Sequence, residues 1–182
     1  MIGSVTEFPN VYWPAWDSDA SFQAGEQLPP ESEGRLWAVL GFVFYGDKVA
    51  LADIEGRGRC IPSGRIEPGE TLDEALVRES WEETGARLDP ERRRLIGWYR
   101  LVPRSGPKAG QTRFCPVFVA EAWGFEPIPA GSESRGLVMA AVEDVAEIYF
   151  TWDALMAAVF AFAEERRTAL FPAGISVRSL TQ

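Results

Sequence analysis

Three glutamates that lie close together in the sequence could bind divalent cations. Glu79, Glu82 and Glu83 are spaced i, i+3 and i+4, which places them side by side on one face of a helix. They continue a stripe of apolar residues expected to point inward: Leu72, Ala75 and Leu76. Like charges at this spacing destabilise a helix, and the helix dipole disfavours anions near the C-terminus. Such an arrangement indicates oxygen ligands for Mg²⁺ or Mn²⁺, which bridge to phosphates.

The helix that must carry these carboxylates has clear signals at both ends. Thr71 and Glu74 have the spacing of a capping box, so the helix is predicted to run over Leu72–Thr84. Gly85 follows, where a residue in the left-handed conformation ends many helices. The sequence therefore predicts a loop, a helix and a defined stop.

The 182 residues include no histidine. This excludes Ser-His-Asp and Cys-His catalysis, histidine-ligated zinc and phosphohistidine chemistry. A general base must therefore be Asp, Glu, Lys, Tyr or a metal-activated water. The 27 Asp and Glu outnumber the 18 Lys and Arg, and the resulting net charge of −9 argues against nucleic acid as a partner.

The composition is that of an ordinary globular domain, with 46% hydrophobic and 25% charged residues. Apolar stretches are shorter than the roughly 20 residues that a membrane helix needs, and the first residues do not resemble a signal peptide. Cys60 and Cys115 are predicted to be free, buried thiols, which favours a reducing cytoplasm. We therefore expect a cytoplasmic protein without membrane contact.

Residues 64–86 resemble the Nudix box. Its pattern is Gly, five residues, Glu, seven residues, Arg-Glu, an aliphatic, any residue, Glu-Glu, any residue, Gly and an aliphatic. Seven positions match at the right spacing: Gly64, Glu70, Arg78, Glu79, Glu82, Glu83 and Gly85. Such a match arises by chance on the order of once in a million for a chain this long. Ser80 and Ala86 depart from the aliphatic positions, and Ser63 replaces a glycine common before the box.

The resemblance implies a fold and a reaction. Nudix proteins are α/β/α sandwiches with a mixed β-sheet between helices, and the box binds Mg²⁺, with Mn²⁺ as a substitute. They hydrolyse a phosphoanhydride bond of a nucleoside di- or triphosphate, or of a nucleoside diphosphate linked to another group, by attack of metal-activated water at phosphorus. The chain is thus expected to be a pyrophosphohydrolase whose partner is a small phosphorylated molecule.

The resemblance also implies roles for the matching residues. The metal ligands would be Glu79, Glu82, Glu83 and the backbone carbonyl of Gly64. One of the glutamates, with Glu82 as the first candidate, could instead accept a proton from the attacking water. Some family members take a general base from a later loop, for which Glu133 is the first candidate here and Glu126 the second.

Other residues would position these ligands and the substrate. Glu70 and Arg78 would orient the carboxylates, and Gly85 would be needed for the turn. Arg78 lies one residue before Glu79 and four before Glu82, so it can pair with either. Basic side chains could contact phosphates: Arg57, Arg59, Arg65, Arg104, Lys108 and Arg113. A base could stack on one of four aromatic residues: Trp37, Trp98, Tyr99 or Phe114.

Runs of apolar and β-branched residues predict strands on both sides of the helix. The predicted strands cover residues 36–45, 49–54, 95–102, 112–122 and 137–142. A second long helix is predicted over 152–167, with Thr151 as its N-cap. This order of elements favours an α+β fold or a mixed-sheet sandwich.

Residues 1–34 are predicted to be an irregular N-terminal arm, and 35–182 the Nudix domain. The arm contains four prolines and the aromatic cluster of residues 12–16, which we expect to pack on the domain or on a second subunit. Trp81 stands roughly opposite the carboxylates, so the outer face of the helix is also expected to be covered. These two features predict a homodimer.

Two other functions fit the same residues. The first is a Nudix domain that binds or senses a nucleotide without cleaving it. The second is an acidic interaction module that uses the aromatic arm and needs no metal. Metal-dependent turnover would distinguish the hydrolase from both.

Overall fold

A computed structural model describes residues 7–172. The strands are β1 (Val11–Trp13), β2 (Ser18–Ala24), β3 (Arg35–Leu36), β4 (Ala38–Tyr45), β5 (Lys48–Ile54), β6 (Gly58–Cys60), β7 (Ser63–Arg65), β8 (Ala86–Pro103), β9 (Arg113–Phe125) and β10 (Ser134–Ala141). The helices are α1 (Leu72–Thr84), α2 (Val145–Ile148) and α3 (Ala154–Leu170). Residues 1–6 of the predicted arm and 173–182 of the predicted domain lie outside the described residues.

The strands form one mixed sheet, in the order β1-β2-β8-β9-β4-β5-β10. Three short strands lie off this path, with β3 beside β9, β6 beside β5 and β7 beside β4. The pairs β4–β9 and β3–β9 are parallel, and the others are antiparallel. The short β7 ends just before the α1 loop, so its pairing with β4 fixes the start of the box on the sheet.

Helices cover both faces of this sheet because β4 is buried on both sides. Val39 and Val43 share a core with Leu76 of α1. Phe42, between them, points to the other side, where its ring packs edge-on against Phe160 of α3 with centroids 4.7 Å apart. A strand buried on both faces requires a layer on each side. The predicted α/β/α sandwich is therefore confirmed.

The prediction of an irregular arm is wrong for residues 11–24. Here β1 and β2 form a hairpin, and β2 pairs with β8 from Ser18 opposite Pro103 to Ala24 opposite Gly97. Alternate residues of β2 are buried, namely Ser18, Ala20 and Phe22. This alternation carries a weak hydrophobic signal because two of the three inward residues are small. The strand β8 is also much longer than predicted, and shifts in its register against β9 interrupt the alternation.

The N-cap of α3 is Asp153, not Thr151 as predicted. Its carboxylate accepts a hydrogen bond from the Met156 N–H at 2.8 Å and, through its other oxygen, one from the Trp13 indole at 2.7 Å. The second bond joins the N-terminal hairpin to α3. Only the tertiary structure brings Trp13 to this cap, so local sequence could not favour Asp153 over Thr151.

Replacing Asp153 with alanine should therefore destabilise the protein, because a helix cap and the partner of a buried indole are lost together. We expect the free energy of unfolding to fall by about 2 kcal/mol in urea denaturation. Thr151→Ala is the matched control and should change it by less than about 0.5 kcal/mol. Equal losses of stability in the two variants would contradict the assignment of Asp153, in place of Thr151, as the N-cap.

Both cysteines are free and buried, as predicted. Burial raises the pKa of the Cys60 thiol to about 11 and that of Cys115 to about 12. Both therefore stay protonated and unreactive near neutral pH. Within residues 7–172, no helix is long and apolar enough to cross a membrane.

Candidate active site

The helix α1 begins and ends where the sequence predicts. The Thr71 hydroxyl accepts from the Glu74 N–H, and the Glu74 carboxylate accepts from the Thr71 N–H at 2.8 Å. Gly85 is left-handed, with φ 73° and ψ 7°, and a Cβ atom there would collide with the carbonyl of Glu126. Gly85 thus satisfies two demands at once, since it ends the helix and lets the next loop pass close to it.

Arg78 is the centre of a network of carboxylates. Its guanidinium forms a two-pronged ion pair with Glu70, with N–O distances of 2.7 and 2.8 Å. A third nitrogen lies 2.6 Å from Glu79 and 3.3 Å from Glu82. The nitrogen Nη2, one of the two that contact Glu70, also donates to the carbonyl of Arg65 at 2.9 Å. Arg78 therefore fixes carboxylates from the loop and the helix relative to one another, and its hydrogen bonds to Glu70 lower the pKa of that carboxyl.

Glu79 is held against the backbone of the box's first residue. Its side chain is only 12% exposed, and a Cβ atom at Gly64 would overlap its carboxylate. Burial raises the pKa of Glu79, while the neighbouring Arg78 lowers it. Glycine at position 64 is thus required by the close approach of a carboxylate. The same approach brings Glu79 beside the short strand β7, to which Gly64 belongs.

Glu83 is the most buried of the three acidic side chains, with 9% of its surface exposed. One carboxylate oxygen accepts a hydrogen bond from the Ser63 N–H at 2.8 Å. Its pKa is raised to about 7, chiefly by burial and also by the charges of Glu79 and Glu133, while the Ser63 bond and Arg57 oppose the rise. A cation beside this carboxylate would relieve an unfavourable buried charge.

A Glu83→Gln variant tests this charge. The raised pKa means that the folded chain binds the proton more tightly than the unfolded chain does, so Glu83 lowers stability as pH rises from about 4.5 to 7. Glutamine can keep the Ser63 bond without the charge. In EDTA at pH 8 we expect the variant to be more stable than wild type by about 3 kcal/mol, and this gain should vanish towards pH 4.

The control for Glu83→Gln is Glu67→Gln, which removes an exposed carboxylate of the same loop–helix segment. It should leave the difference between pH 8 and pH 4 unchanged. Denaturant unfolding at the two pH values measures both variants. Equal stability of Glu83→Gln and wild type at pH 8 would mean that Glu83 is not under electrostatic strain.

Glu82 is the most exposed of the three glutamates in the C-terminal half of α1, with a side chain 40% exposed. Its backbone carbonyl accepts from the Ser132 hydroxyl at 2.7 Å, which ties the loop before β10 to the end of α1. The neighbouring Glu133 is exposed, its carbonyl accepts from the Glu55 N–H, and its charge reaches Glu83. Glu126, in contrast, faces Arg87 at 3.5 Å. The structure thus brings Glu133 towards the carboxylates and pairs Glu126 elsewhere.

The donor set suits a hard divalent cation. Glu79, Glu82 and Glu83 supply only oxygen atoms, two of them on buried side chains whose pKa values are raised. No three Asp, Glu or Cys side chains within residues 7–172 converge on one point as a ready-made metal cluster. Arg78 accounts for this, because it draws Glu79 and Glu82 towards itself. A bound cation would have to share these carboxylates with Arg78.

A cavity of about 300 Å³ adjoins this acidic site. Ser63 and Gly64 line it on the side of the box, and Arg57 and Arg65 bring positive charge to its rim. Six aromatic side chains line the rest: Trp13, Trp16, Trp37, Tyr99, Tyr149 and Phe150. The volume and the apolar lining with few charged groups are typical of a site for a small organic ligand.

The predicted phosphate-binding residues divide into two groups. Arg57 and Arg65 line the cavity. The others lie elsewhere, with Arg59 on β6, Arg104 paired with Asp19 at 2.5 Å, Lys108 in an outer loop and Arg113 over the ring of Trp37. Of the four aromatic residues proposed to stack on a base, Trp37 and Tyr99 line the cavity, whereas Trp98 and Phe114 are core residues outside its lining.

Sequence reasoning missed several residues of the site. Trp13 and Trp16 come from the arm, Tyr149 and Phe150 from the segment before α3, and Ser63 contributes its backbone N–H. The dense aromatic cluster in the arm was the only available signal. It predicts packing on the domain or on a second subunit, but the surface that it contacts is set by the pairing of β2 with β8.

The acidic loop–helix–loop segment lies on a mixed sheet between helices. A sequence model described as the NUDIX domain matches residues 34–170. The chain belongs to the NUDIX family. This confirms the resemblance of the box to the family.

Curated relatives are similar in sequence to part of this chain. The Bacillus subtilis protein YtkD, provisionally named an 8-oxo-dGTP diphosphatase, is 36% identical over 72 residues, covering 40% of this chain and 42% of YtkD. The human 8-oxo-dGDP phosphatase NUDT18 is 44% identical over 79 residues, covering 38% of this chain and 24% of NUDT18. The matches thus span less than half the length of these relatives.

Solved structures share the fold. A mutant of the Bacillus subtilis pyrophosphohydrolase BsRppH superposes with a TM-score of 0.64 at 22% identity, covering 82% of this chain and 91% of that one. A NUDIX hydrolase from Nitrosomonas europaea gives a TM-score of 0.54 at 24% identity, covering 72% and 90%. At this identity the likeness establishes the architecture.

Proposed function

We propose that the chain hydrolyses a phosphoanhydride bond of a nucleoside di- or triphosphate, or of a nucleoside diphosphate linked to another group, with Mg²⁺ or Mn²⁺ as cofactor. The observation that carries the proposal is that Glu79 and Glu83 contact Gly64 and Ser63, which also line the aromatic cavity. Carboxylates gather cations at the diphosphate, and the cavity accepts a base. The names of YtkD and NUDT18 make purine nucleotides, including 8-oxo forms, the first substrates to test.

In this proposal Glu79, Glu82, Glu83 and the Gly64 carbonyl hold the cation. When bound, the cation would neutralise the diphosphate and lower the pKa of the attacking water. Arg78 and the Ser63 N–H keep Glu79 and Glu83 in place, so little reorganisation is needed when substrate binds. Glu70 in turn holds Arg78 through two hydrogen bonds.

The proton of the attacking water goes to Glu82 in this proposal, because its half-exposed carboxylate is open to solvent and substrate. A new P–O bond forms to the water oxygen, and the bridging P–O bond breaks, leaving a phosphate or pyrophosphate group. Glu133 is the alternative base, supported by its closeness to Glu83. Arg57 and Arg65 are placed to contact the phosphates from the rim of the cavity.

The test is a panel of nucleoside di- and triphosphates, sugar nucleotides and dinucleotide polyphosphates, including 8-oxo-dGTP and 8-oxo-dGDP, with Mg²⁺ and with EDTA. We expect release of phosphate or pyrophosphate only with the metal. Turnover in EDTA would contradict the assigned chemistry. Binding of a nucleotide without turnover would favour a non-catalytic sensing domain.

We further propose a cytoplasmic homodimer. The free thiols of Cys60 and Cys115 suit a reducing compartment. Trp81 lies in an open groove with Val77, Arg87 and Arg93, where a second subunit could cover it. Light scattering at micromolar concentration measures the mass, and a monomer would refute the dimer.

A further inference from the structure

The cavity beside Gly64 is completed by residues that precede the NUDIX domain. Trp13 and Trp16 line it, although the match to the family begins at residue 34. Trp13 is 4% exposed, and its indole donates to Asp153. Its ring packs 5.2 Å from that of Tyr99 and 5.3 Å from that of Trp16. Trp13 is therefore held in a fixed position, and Trp16 packs against it.

Trp16 lies at the end of a tight turn with an unusual backbone. Pro14–Trp16 form a single 3₁₀ turn, and the next residue, Asp17, is left-handed with φ 44° and ψ 46°. Asp17 is the one non-glycine residue within 7–172 that has a positive φ. Such a conformation is unfavourable for a residue with a Cβ atom, and it persists where the surroundings hold it.

Several hydrogen bonds hold this turn. The Asp17 carboxylate accepts from the Tyr12 hydroxyl at 2.7 Å and from the Ser105 hydroxyl, which lowers its pKa. The Asp17 carbonyl accepts from the Arg104 N–H at 2.8 Å. The Trp16 carbonyl accepts from the Ser18 hydroxyl at 2.8 Å. The fold therefore keeps Asp17 in an unfavourable backbone conformation, which fixes Trp16 at the cavity.

The position of the cavity indicates what Trp16 would contact. Ser63 and Gly64 belong both to its lining and to the carboxylate site, so a ligand with its phosphates at the carboxylates would extend into the cavity. Trp16 is half-buried, and its ring meets Phe150 edge-on at 5.9 Å. Two aromatic rings at right angles in an apolar cavity suit a flat, aromatic group.

We propose that Trp16 is a specificity-determining residue that stacks on the heterocyclic base of the substrate nucleotide. The inference rests on the proposed function for the position of the phosphates. It assigns recognition of the base to a turn outside the NUDIX domain, while the box acts on the diphosphate. Removing Trp16 should therefore weaken binding of the base and leave the chemical step intact.

The test compares Trp16→Ala with Trp16→Phe and with Trp123→Ala, which removes an exposed tryptophan on β9. We expect Trp16→Ala to raise the KM for dGTP about tenfold or more with kcat at saturation nearly unchanged, as loss of a base stack would do. Trp16→Phe should restore most of the affinity because it keeps a ring. Trp123→Ala should behave as wild type. Thermal unfolding of each variant identifies loss of fold.

A binding measurement separates this inference from the proposed function. Isothermal titration with dGMP in EDTA reports base binding without turnover, and Trp16→Ala should weaken it by a similar factor. If the wild-type protein binds dGMP through Trp16 but hydrolyses no nucleotide, the proposed function is contradicted and the stacking role is supported. An active wild type whose KM and dGMP affinity do not change in Trp16→Ala would overturn the inference, and so would equal losses of kcat in Trp16→Ala and Trp16→Phe.

Discussion

Glu82→Gln should lower kcat by about 10²- to 10⁴-fold, the range in which a general base contributes. Glutamine removes a charged oxygen donor and the group proposed to take the proton, but it keeps the size of the side chain. The fold should be unaffected, because Glu82 is 40% exposed and its contact with Arg78 is the longest in that network, at 3.3 Å. The melting temperature is expected to stay within a few degrees of wild type or to rise as repulsion among the carboxylates falls.

Steady-state kinetics in saturating Mg²⁺ measures this loss, on whichever nucleotide the panel identifies. Glu67→Gln, which removes an exposed carboxylate beyond the Arg78 network, is the matched control and should keep full activity. Glu133→Gln should have the smaller effect of the two candidate bases. Full activity of Glu82→Gln with a large loss in Glu133→Gln would reverse the assignment of the base.

Gly64→Ala is expected to reduce kcat about 10²-fold without unfolding the protein. The new methyl group would occupy the space of the Glu79 carboxylate, which must then move away from β7 and disturb its 2.6 Å contact with Arg78. Displacing a catalytic group by about 1 Å costs on this order in rate. Gly64 is not among the glycines of positive φ, so alanine does not strain the backbone itself.

The control for Gly64→Ala is Gly124→Ala on β9, where an added Cβ atom meets no neighbour within 4 Å. It should leave activity and melting temperature unchanged. Restored activity in a double variant that shortens the displaced side chain, Gly64→Ala with Glu79→Asp, would show that the clash is with this carboxylate. Full activity of Gly64→Ala alone would mean that the contact between Gly64 and Glu79 has no part in catalysis.

The helix α1 and the grouping of the acidic residues were predictable because they depend on short-range rules. A capping box acts over four residues, a left-handed glycine ends the helix, and the spacing of Glu79, Glu82 and Glu83 fixes their common face. The family pattern extends this to Gly64 and Glu70. What the pattern does not contain is the reason for each residue, such as the overlap that requires glycine at 64.

The sequence by itself therefore determined the position of the box and the absence of histidine chemistry, which follow from neighbouring residues and from composition. The class of fold followed from the order of elements together with the resemblance of the box to the Nudix family. The tertiary structure decided which distant residues meet. Trp13, Trp37 and Tyr149 line one cavity only because β2 joins the sheet beside β8 and Asp153 holds the Trp13 indole. Contacts of this kind depend on the pairing of strands far apart in the chain, on which local propensity and hydrophobic spacing carry little information.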